Sequence, residues 1–258
     1  LEFVYGIEGG GPTDRVAAVG TMQWAMKNGT NTAAGLNGRY TPGHANALTG
    51  WDIGKVVRLK ITYGGTDYYK WRGTLVSVEP VAGLKRRRTV ACLAHDWIDE
   101  ALNSFVRDTA LQTSKRADQI ISTLITNSAK RQPAAQSLNV CQSTFAYAVD
   151  NLLDEKTTLL GAIADATYSE VGYFYPKGDT TQGGTIKLED RHARPKASSA
   201  LTLNDDMFDV VAVRSRDDIL NHVNVTVHPR KIDAAATTVL YELTTTETTP
   251  KILAGEKL

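Results

Sequence analysis

Residues 55–78 constrain this chain more than any other stretch. Val57, Leu59, Ile61 and Tyr63 share one parity, with Arg58, Lys60 and Thr62 on the other. That alternation is the period of a strand with one apolar face. Gly64-Gly65 then supplies a two-residue hairpin loop, since glycine takes positive φ at both positions without steric cost. On the return, Tyr69 and Trp71 fall on one parity and Val76 and Val78 on the other, a switch that predicts a β-bulge beside Gly73. A bulged hairpin bends its sheet, so the expectation is a small barrel rather than a flat sheet. Two more strands belong to the same region. Residues 15–27 place Val16, Ala18, Gly20, Met22, Trp24 and Met26 on one face, and residues 89–95 follow a turn at Ala82-Gly83. Between them, residues 28–54 carry glycine and proline at a density that breaks both periodicities, which predicts a long loop. Loops of that length usually carry a contact.

The middle of the chain changes period. Residues 97–106 suit a short amphipathic helix. Ala117, Ile120, Ile121, Leu124 and Ile125 form a helical stripe over 114–129, with Thr113 or Ser114 as N-cap and Arg131-Gln132-Pro133 as the stop. The stripe recurs in Phe145, Ala148, Val149, Leu152 and Leu153, and again over 157–167 in Leu159, Leu160, Ile163 and Ala164. Val171, Tyr173 and Tyr175 then alternate, residues 177–184 turn, and 185–191 return with Ile186 and Leu188 on one face. From 209 onward sheet patterning resumes, with Val223, Val225 and Val227 inward and 238–243 as a further strand. The resulting organisation is β, then α/β, then β, with boundaries at 1–96, 97–200 and 201–258.

Charge and motif content exclude several function classes. With 29 Lys+Arg against 28 Asp+Glu the net charge is +1, which removes any field-based case for general nucleic-acid or anionic-membrane binding. No apolar run approaches the ~18 residues of a membrane span. Beginning at Leu1 with neither an initiator Met nor a signal peptide, the chain reads as a piece of a longer protein. Cys92 and Cys141 are too few for a disulfide framework or a four-cysteine metal site. The run Gly50-Trp51-Asp52-Ile53-Gly54-Lys55-Val56 is one residue short of a phosphate loop, and Val56 stands where a hydroxyl is needed. Gly9-Gly10-Gly11-Pro12 lacks the strand and helix of a dinucleotide fingerprint. None of His44, His95, His192, His222 and His228 lies three or four residues from another, and Cys92 and His95 face opposite ways on a strand. His95-Asp96 reads as a hydrogen-bonded strand end rather than a general-base dyad. Asp205, Asp206, Asp209, Asp217 and Asp218 read as turn and cap residues rather than a calcium loop or a glycosidase pair. Lys85-Arg86-Arg87-Arg88 reads as a solvated hairpin flank. Tyr69 and Trp71 on one face point to a core or an interface more simply than to a sugar platform. No catalytic residue, cofactor or metal site is expected.

Several blocks, in order, resemble the hub or tail-tip proteins of long-tailed bacteriophages and related contractile injection machines. Gly20-Thr21-Met22-Gln23-Trp24 with Asn28, followed by Gly38-Arg39-Tyr40-Thr41-Pro42-Gly43, is similar to that family's opening strand and loop. Ile53 to Leu59, including Arg58, with Trp71-Arg72-Gly73-Thr74-Leu75 resembles its hairpin. Residues 89–96 resemble the strand that leads into a conserved-type aspartate, here Asp96. Residues 159–166, 172–175 and 186–191, ending in Asp190-Arg191, resemble the middle unit. Asn221 to Val227, with Asn224, and then Pro229-Arg230 resemble the start of a second barrel. The resemblance implies an α+β protein: two tail-tube-like antiparallel β-barrel modules separated by a small α/β insertion domain, the second incomplete in this chain. It implies a homotrimer at the tail tip of a virion, where three chains supply six barrels to a sixfold tube. The partners implied are a tail tube or distal-tail protein and a spike, fibre or tape-measure protein, with no specific nucleic acid and no stable membrane insertion. A distal-tail ring, a receptor-binding tail component and a carbohydrate-acting enzyme are the alternatives.

Overall fold

The computed structural model describes residues 1–194 apart from 10, 12, 84–87, 107–108 and 149–156. All of them belong to one compact unit, Leu1–Ala200. The elements run β1 (Glu2–Gly6), β2 (Ala18–Lys27), β3 (Val56–Tyr63), β4 (Thr66–Val81), β5 (Thr89–His95), α1 (Trp97–Leu102), β6 (Gln112–Arg116), α2 (Ala117–Ser128), β7 (Ala135–Leu138), β8 (Thr144–Ala148), α3 (Leu159–Glu170), β9 (Tyr173–Lys177) and β10 (Thr185–Glu189). The architecture is mixed α+β, with more strand than helix.

The first five strands form one antiparallel sheet in the order β1-β2-β5-β4-β3. Its two outer strands do not pair with each other, so the described sheet is open and the expected barrel closure is not seen in it. The Gly64-Gly65 loop has φ of 57° and 79°, the geometry that the two glycines predict. The bulge lies elsewhere than expected. Trp71, Gly73 and Leu75 keep one inward parity, and the register with β5 slips between Leu75 and Ser77, so Val76 is the extra residue. A second slip, between Leu59 and Lys60 on β3, leaves Lys70 extra on β4. Gly73 serves space instead. A Cβ there would stand 2.1 Å from the His95 carbonyl oxygen and 2.2 Å from the Trp71 ring.

Behind the sheet, α1, α2 and α3 pack with the three-stranded sheet β7-β10-β9 around one core. Ile120, Ile121, Leu124 and Ile125 on α2, and Leu159 and Ile163 on α3, are fully buried there with Phe174, Ile186 and Leu188. Each such side chain contributes about 1.5–3 kcal/mol by leaving water. Ala17, just before β2, joins the same core, and the Ala17 N–H and Phe174 carbonyl bond at 2.8 Å. Thus the segments on either side of residue 96 share packing.

Two local expectations change. The stripe from Phe145 proves to be strand over Thr144–Ala148, because β8 pairs antiparallel with β6 from Arg116↔Thr144 to Gln112↔Ala148. The paired backbone outweighs a helical pattern of few residues. That same pairing keeps Thr113 and Ser114 in β6, so α2 begins later. Its N-cap is Arg116, whose backbone N–H donates to Gln119 Oε1 at 3.1 Å. In β9 the buried side chains are Phe174 and Pro176, while Tyr173 and Tyr175 are half-buried with the Arg194 guanidinium over their rings. The strands expected beyond residue 209 lie outside the described residues.

Candidate assembly surface

The residues singled out from sequence fall into three structural groups, and the loop group is the most ordered by its own bonds. Residues 28–54 contain no strand or helix, yet they wrap around one side chain. Asn28, nearly fully buried, donates from Nδ2 to Thr41 Oγ1 at 2.8 Å and accepts the Tyr40 N–H on Oδ1 at 2.8 Å. Its carbonyl takes the Gly38 N–H at 2.9 Å, and its own N–H reaches the Arg88 carbonyl at 2.8 Å. Gly38 sits at φ 74° with the His44 ring where a side chain would be, and Gly43 sits at φ 75°. The Tyr40 ring meets Trp51 edge-on at 5.6 Å, while Trp51 Nε1–H donates to the Tyr40 carbonyl at 3.1 Å. Both aromatics pack over Leu75, Val90 and Cys92. Arg39 holds Leu48 through its carbonyl, and Pro42 sits half-buried beside Thr41. The motif residues Gly38, Arg39, Tyr40, Pro42 and Gly43 therefore make a self-bonded plug over one end of the sheet, with Asn28 as its anchor.

The second group lies where the sheet meets α1 and β9–β10. Trp71 is 2% exposed, which removes the sugar-platform reading, and Gly73 leaves the room its ring occupies. Asp96 caps α1, its Oδ1 accepting the Ile98 N–H at 3.0 Å. Burial pushes its carboxyl up to about 7, against the pull of backbone hydrogen bonds from Gly20 and Ile98. Gly20 makes this possible, since a Cβ there would stand 2.4 Å from Asp96 Oδ2. His95 pairs with Asp99 at 3.4 Å, so the His95-Asp96 pair is a strand end and helix cap, with the two side chains serving different partners. Facing this junction, the β9–β10 turn is knotted by Asp179. Burial alone would raise that carboxyl, but the N–H groups of Gly183, Gln182 and Thr181 and the Thr185 hydroxyl hold it at about 2.

The third group is the Asp190-Arg191 end of β10. Arg191 donates to the fully buried carboxylate of Glu170 at 3.2 Å and to the Ser143 hydroxyl. Glu170 also accepts the Gln142 and Ser143 N–H groups at 3.2 and 3.0 Å, tying the end of α3 to the start of β8. Asp190 is buried, and its carbonyl accepts the Ala193 N–H. Glu170, Gly20 and Asp179 carry no local sequence signal for these roles; their partners lie many residues away. Arg58 stands on the outer strand β3, its guanidinium 5.0 Å from the Tyr69 ring. Asn221, Asn224 and Arg230 lie outside the described residues.

What these groups share is structure, with no convergent reactive set. Burial pushes the Cys92 thiol up to about 11 and the Cys141 thiol up to about 12, which leaves both protonated and unreactive at neutral pH. Each of the sheet's outer strands carries exposed apolar side chains, as do loops and other elements elsewhere in the fold. On β1 these are Phe3, Val4 and Tyr5, the first and last stacked at 6.0 Å. On β3 they are Val56, Ile61 and Tyr63, the last two 46% and 79% exposed beside the hairpin turn. An outer strand also presents a free row of N–H and C=O groups.

No protein-family model and no curated protein matches the chain. Among solved structures, it is similar to a 43 kDa tail protein of prophage MuSo2 from Shewanella oneidensis, at 10% identity and a TM-score of 0.41, over 72% of this chain and 47% of that one. It is similar to a tail protein from Neisseria meningitidis at 13% identity and a TM-score of 0.38, over 51% and 38%. A third is an E. coli component of the type VI secretion system, described as structurally similar to the T4 tail proteins gp27 and gp5, at 10% identity and a TM-score of 0.43 over 67% and 42%. The chain spans less than half the length of each of these three proteins, and all three belong to phage tails or to a secretion machine.

Proposed function

We propose that this chain is a structural protein of a phage-type tail, not an enzyme, and that it forms a hub at the distal end joining the tail tube to the spike or fibres. One observation carries the reading: among the described residues the five-stranded sheet ends in β1 and β3, each with no partner strand on its outer edge and each with exposed apolar side chains. A sheet in that state gains from a neighbour, because pairing satisfies the edge N–H and C=O groups and covers the apolar faces. The order of sequence blocks supports the same reading, with residues 1–96 as one tube-like barrel module, 97–200 as the insertion and 201–258 as the second module. Three copies then supply six modules to a sixfold tube. The self-bonded 28–54 plug offers a rigid contact surface at one end of the sheet.

The test is assembly. Mass photometry and electron microscopy of the purified chain, alone and with its tube protein, are expected to show trimers that cap tube ends. Ile61→Lys with Tyr63→Lys is expected to abolish those trimers while leaving the far-ultraviolet circular dichroism unchanged. Sixfold rings would make the chain a distal-tail ring instead. A monomer that never joins tube protein at any concentration would overturn the assembly reading.

A further inference from the structure

Arg58 on β3 and Arg72 on β4 stand directly opposite each other in the antiparallel register. Both leave the sheet on the face away from the buried Trp71 ring. Arg58 lies between the inward Val57 and Leu59, and Arg72 between the inward Trp71 and Gly73. Like charges so placed repel, because opposed Cβ atoms are only about 5 Å apart. A carboxylate would relieve the pair, yet neither arginine makes an ion pair among the described residues. The acids of the hairpin and of the turn beside it are already engaged. Asp67 accepts from Lys60 Nζ at 2.9 Å and from the Thr62 hydroxyl at 2.6 Å. Asp179 acts on Arg72 through charge alone, since its two oxygens accept from Thr181, Gln182, Gly183 and Thr185.

Uncharged partners hold both cations in place. The Arg58 guanidinium lies 5.0 Å from the Tyr69 ring centre. Arg72 donates from Nη1 to Gln182 Oε1 at 3.2 Å, and its stem fills the space that a side chain at Gly184 would need. Gln182 is itself fixed, donating from Nε2 to the Ala134 carbonyl at 2.8 Å. A third guanidinium, Arg131, is fastened two residues farther along β4. It donates to Thr74 Oγ1 at 2.9 Å and to the Gly54 carbonyl at 3.3 Å. Burial first, then the Arg58 charge, pulls the Arg72 guanidinium below its ordinary value.

We propose that the Arg58–Arg72 pair, flanked by Arg131, recognises the carboxylates of an acidic protein segment that docks on the open β3 edge. Guanidinium and carboxylate match in a planar two-bond fork, and cations already held in place lose little freedom on binding. A strand added to the outer edge of β3 sets one of its side chains beside Arg58 on this face. Three cations are few for a nucleic-acid backbone, where about six to ten phosphates are commonly contacted. The Tyr69 ring on which a base would stack already lies under Arg58. The source of the acidic segment, a neighbouring tail protein, rests on the assembly reading above; the pair itself does not.

The isotope-labelled full chain is titrated with hexaglutamate at low salt. The Arg58 and Arg72 Nε–H resonances, assigned by Arg58→Gln and Arg72→Gln, are expected to move saturably while those of Arg15 and Arg39 stay still. The double variant is expected to bind the peptide about tenfold more weakly. Equal movement of all the arginines, or of none, overturns the site. So does a thymidine oligonucleotide of equal charge that moves the two resonances at lower concentration than the peptide. In mass photometry with tube protein, the double variant is expected to need about tenfold more chain for assembly. Unchanged assembly of that variant, while Ile61→Lys with Tyr63→Lys abolishes it, overturns the acidic docking and leaves the hub reading standing. A chain that stays monomeric yet shows the two peptide shifts does the reverse, removing the hub reading and keeping the carboxylate site.

Discussion

Ile163 on α3 and Ile61 on β3 are the same side chain in two settings. The first is fully buried among α1, α2, β9 and β10, whereas the second stands 46% exposed on an outer strand. The contrast extends to the regions around them. The helical part gathers its apolar residues into one cluster of sixteen buried side chains. The sheet divides its own between two clusters of three, packs others such as Trp24, Val57 and Leu59 partly against them, and leaves several exposed on β1, β3 and β4. A hydrophobic core that is complete needs no partner, and a sheet that stops at two apolar edges does. The difference separates a region that buries its apolar surface within this chain from one that leaves strand edges open among the described residues.

The strongest way to break that contrast is to truncate the same residue type on each side. Ile163→Ala is expected to cost about 4 kcal/mol in urea unfolding, and Ile61→Ala less than about 0.5 kcal/mol. Similar losses at both sites would put stability in the sheet as well. The next effect tests the junction through pH. Asp96 is held near 7 when folded, above its ordinary value of 3.8, so the unfolded chain gives up its proton first as pH rises. Stability from this group is full below about 4, falls through the window from about 4 to 7, and is gone above it. Tyr5 of β1, Lys70 and Arg72 of β4 and Lys177 of β9 line the same pocket as Asp96, and the Asp99 carboxylate of α1 adds to the rise. Wild type is therefore expected to lose stability relative to Asp96→Asn between pH 5 and 7, by at most about 1.4 kcal/mol per pH unit. An offset that does not change with pH would mean the carboxyl is ionised throughout. Gly73→Ala comes third, at about 2 kcal/mol, because its methyl must displace either the Trp71 ring or the β5 backbone; a neutral result would show that this packing yields. Smallest is Val171, the C-cap of α3, a β-branched residue held at φ 60°. Val171→Gly is expected to stabilise by about 1 kcal/mol and to raise Tm by about 2–4 °C.

How much of this was legible beforehand depends on the reach of each interaction. The Gly64-Gly65 turn, the α2 stripe and the Ile186/Leu188 face are local patterns, and all appear in the structure where the sequence puts them. The bulge was misplaced because a glycine in a strand has two uses, to bend the chain or to make room, and Gly73 makes room for Trp71. Phe145 pointed to a helix because a stripe of so few residues fits either period until a partner strand is known. The Asn28 anchor acts on Gly38, Tyr40 and Thr41 across ten to thirteen residues, and Glu170 acts on Gln142 and Arg191 across more than twenty. Polar bonds at such separations leave no periodic trace. β1 was overlooked although Glu2-Phe3-Val4-Tyr5-Gly6 is rich in strand-forming residues; its shortness hid it. Of the candidate positions, the loop, Trp71, Asp96 and Arg191 all prove to be structural fastenings.

The Asp179 knot has a mechanical meaning. Its backbone N–H and carbonyl form a paired bond with the carbonyl and N–H of Tyr69, at 3.0 and 2.8 Å, at the fourth residue of the sixteen-residue β4. The β3–β4 hairpin is thus a lever clasped near its tip, four residues past the Gly64-Gly65 turn, with Tyr63 beyond the clasp. A push or twist on that tip therefore meets the Asp179 turn, and through it the ends of β9 and β10, before it meets the rest of the sheet.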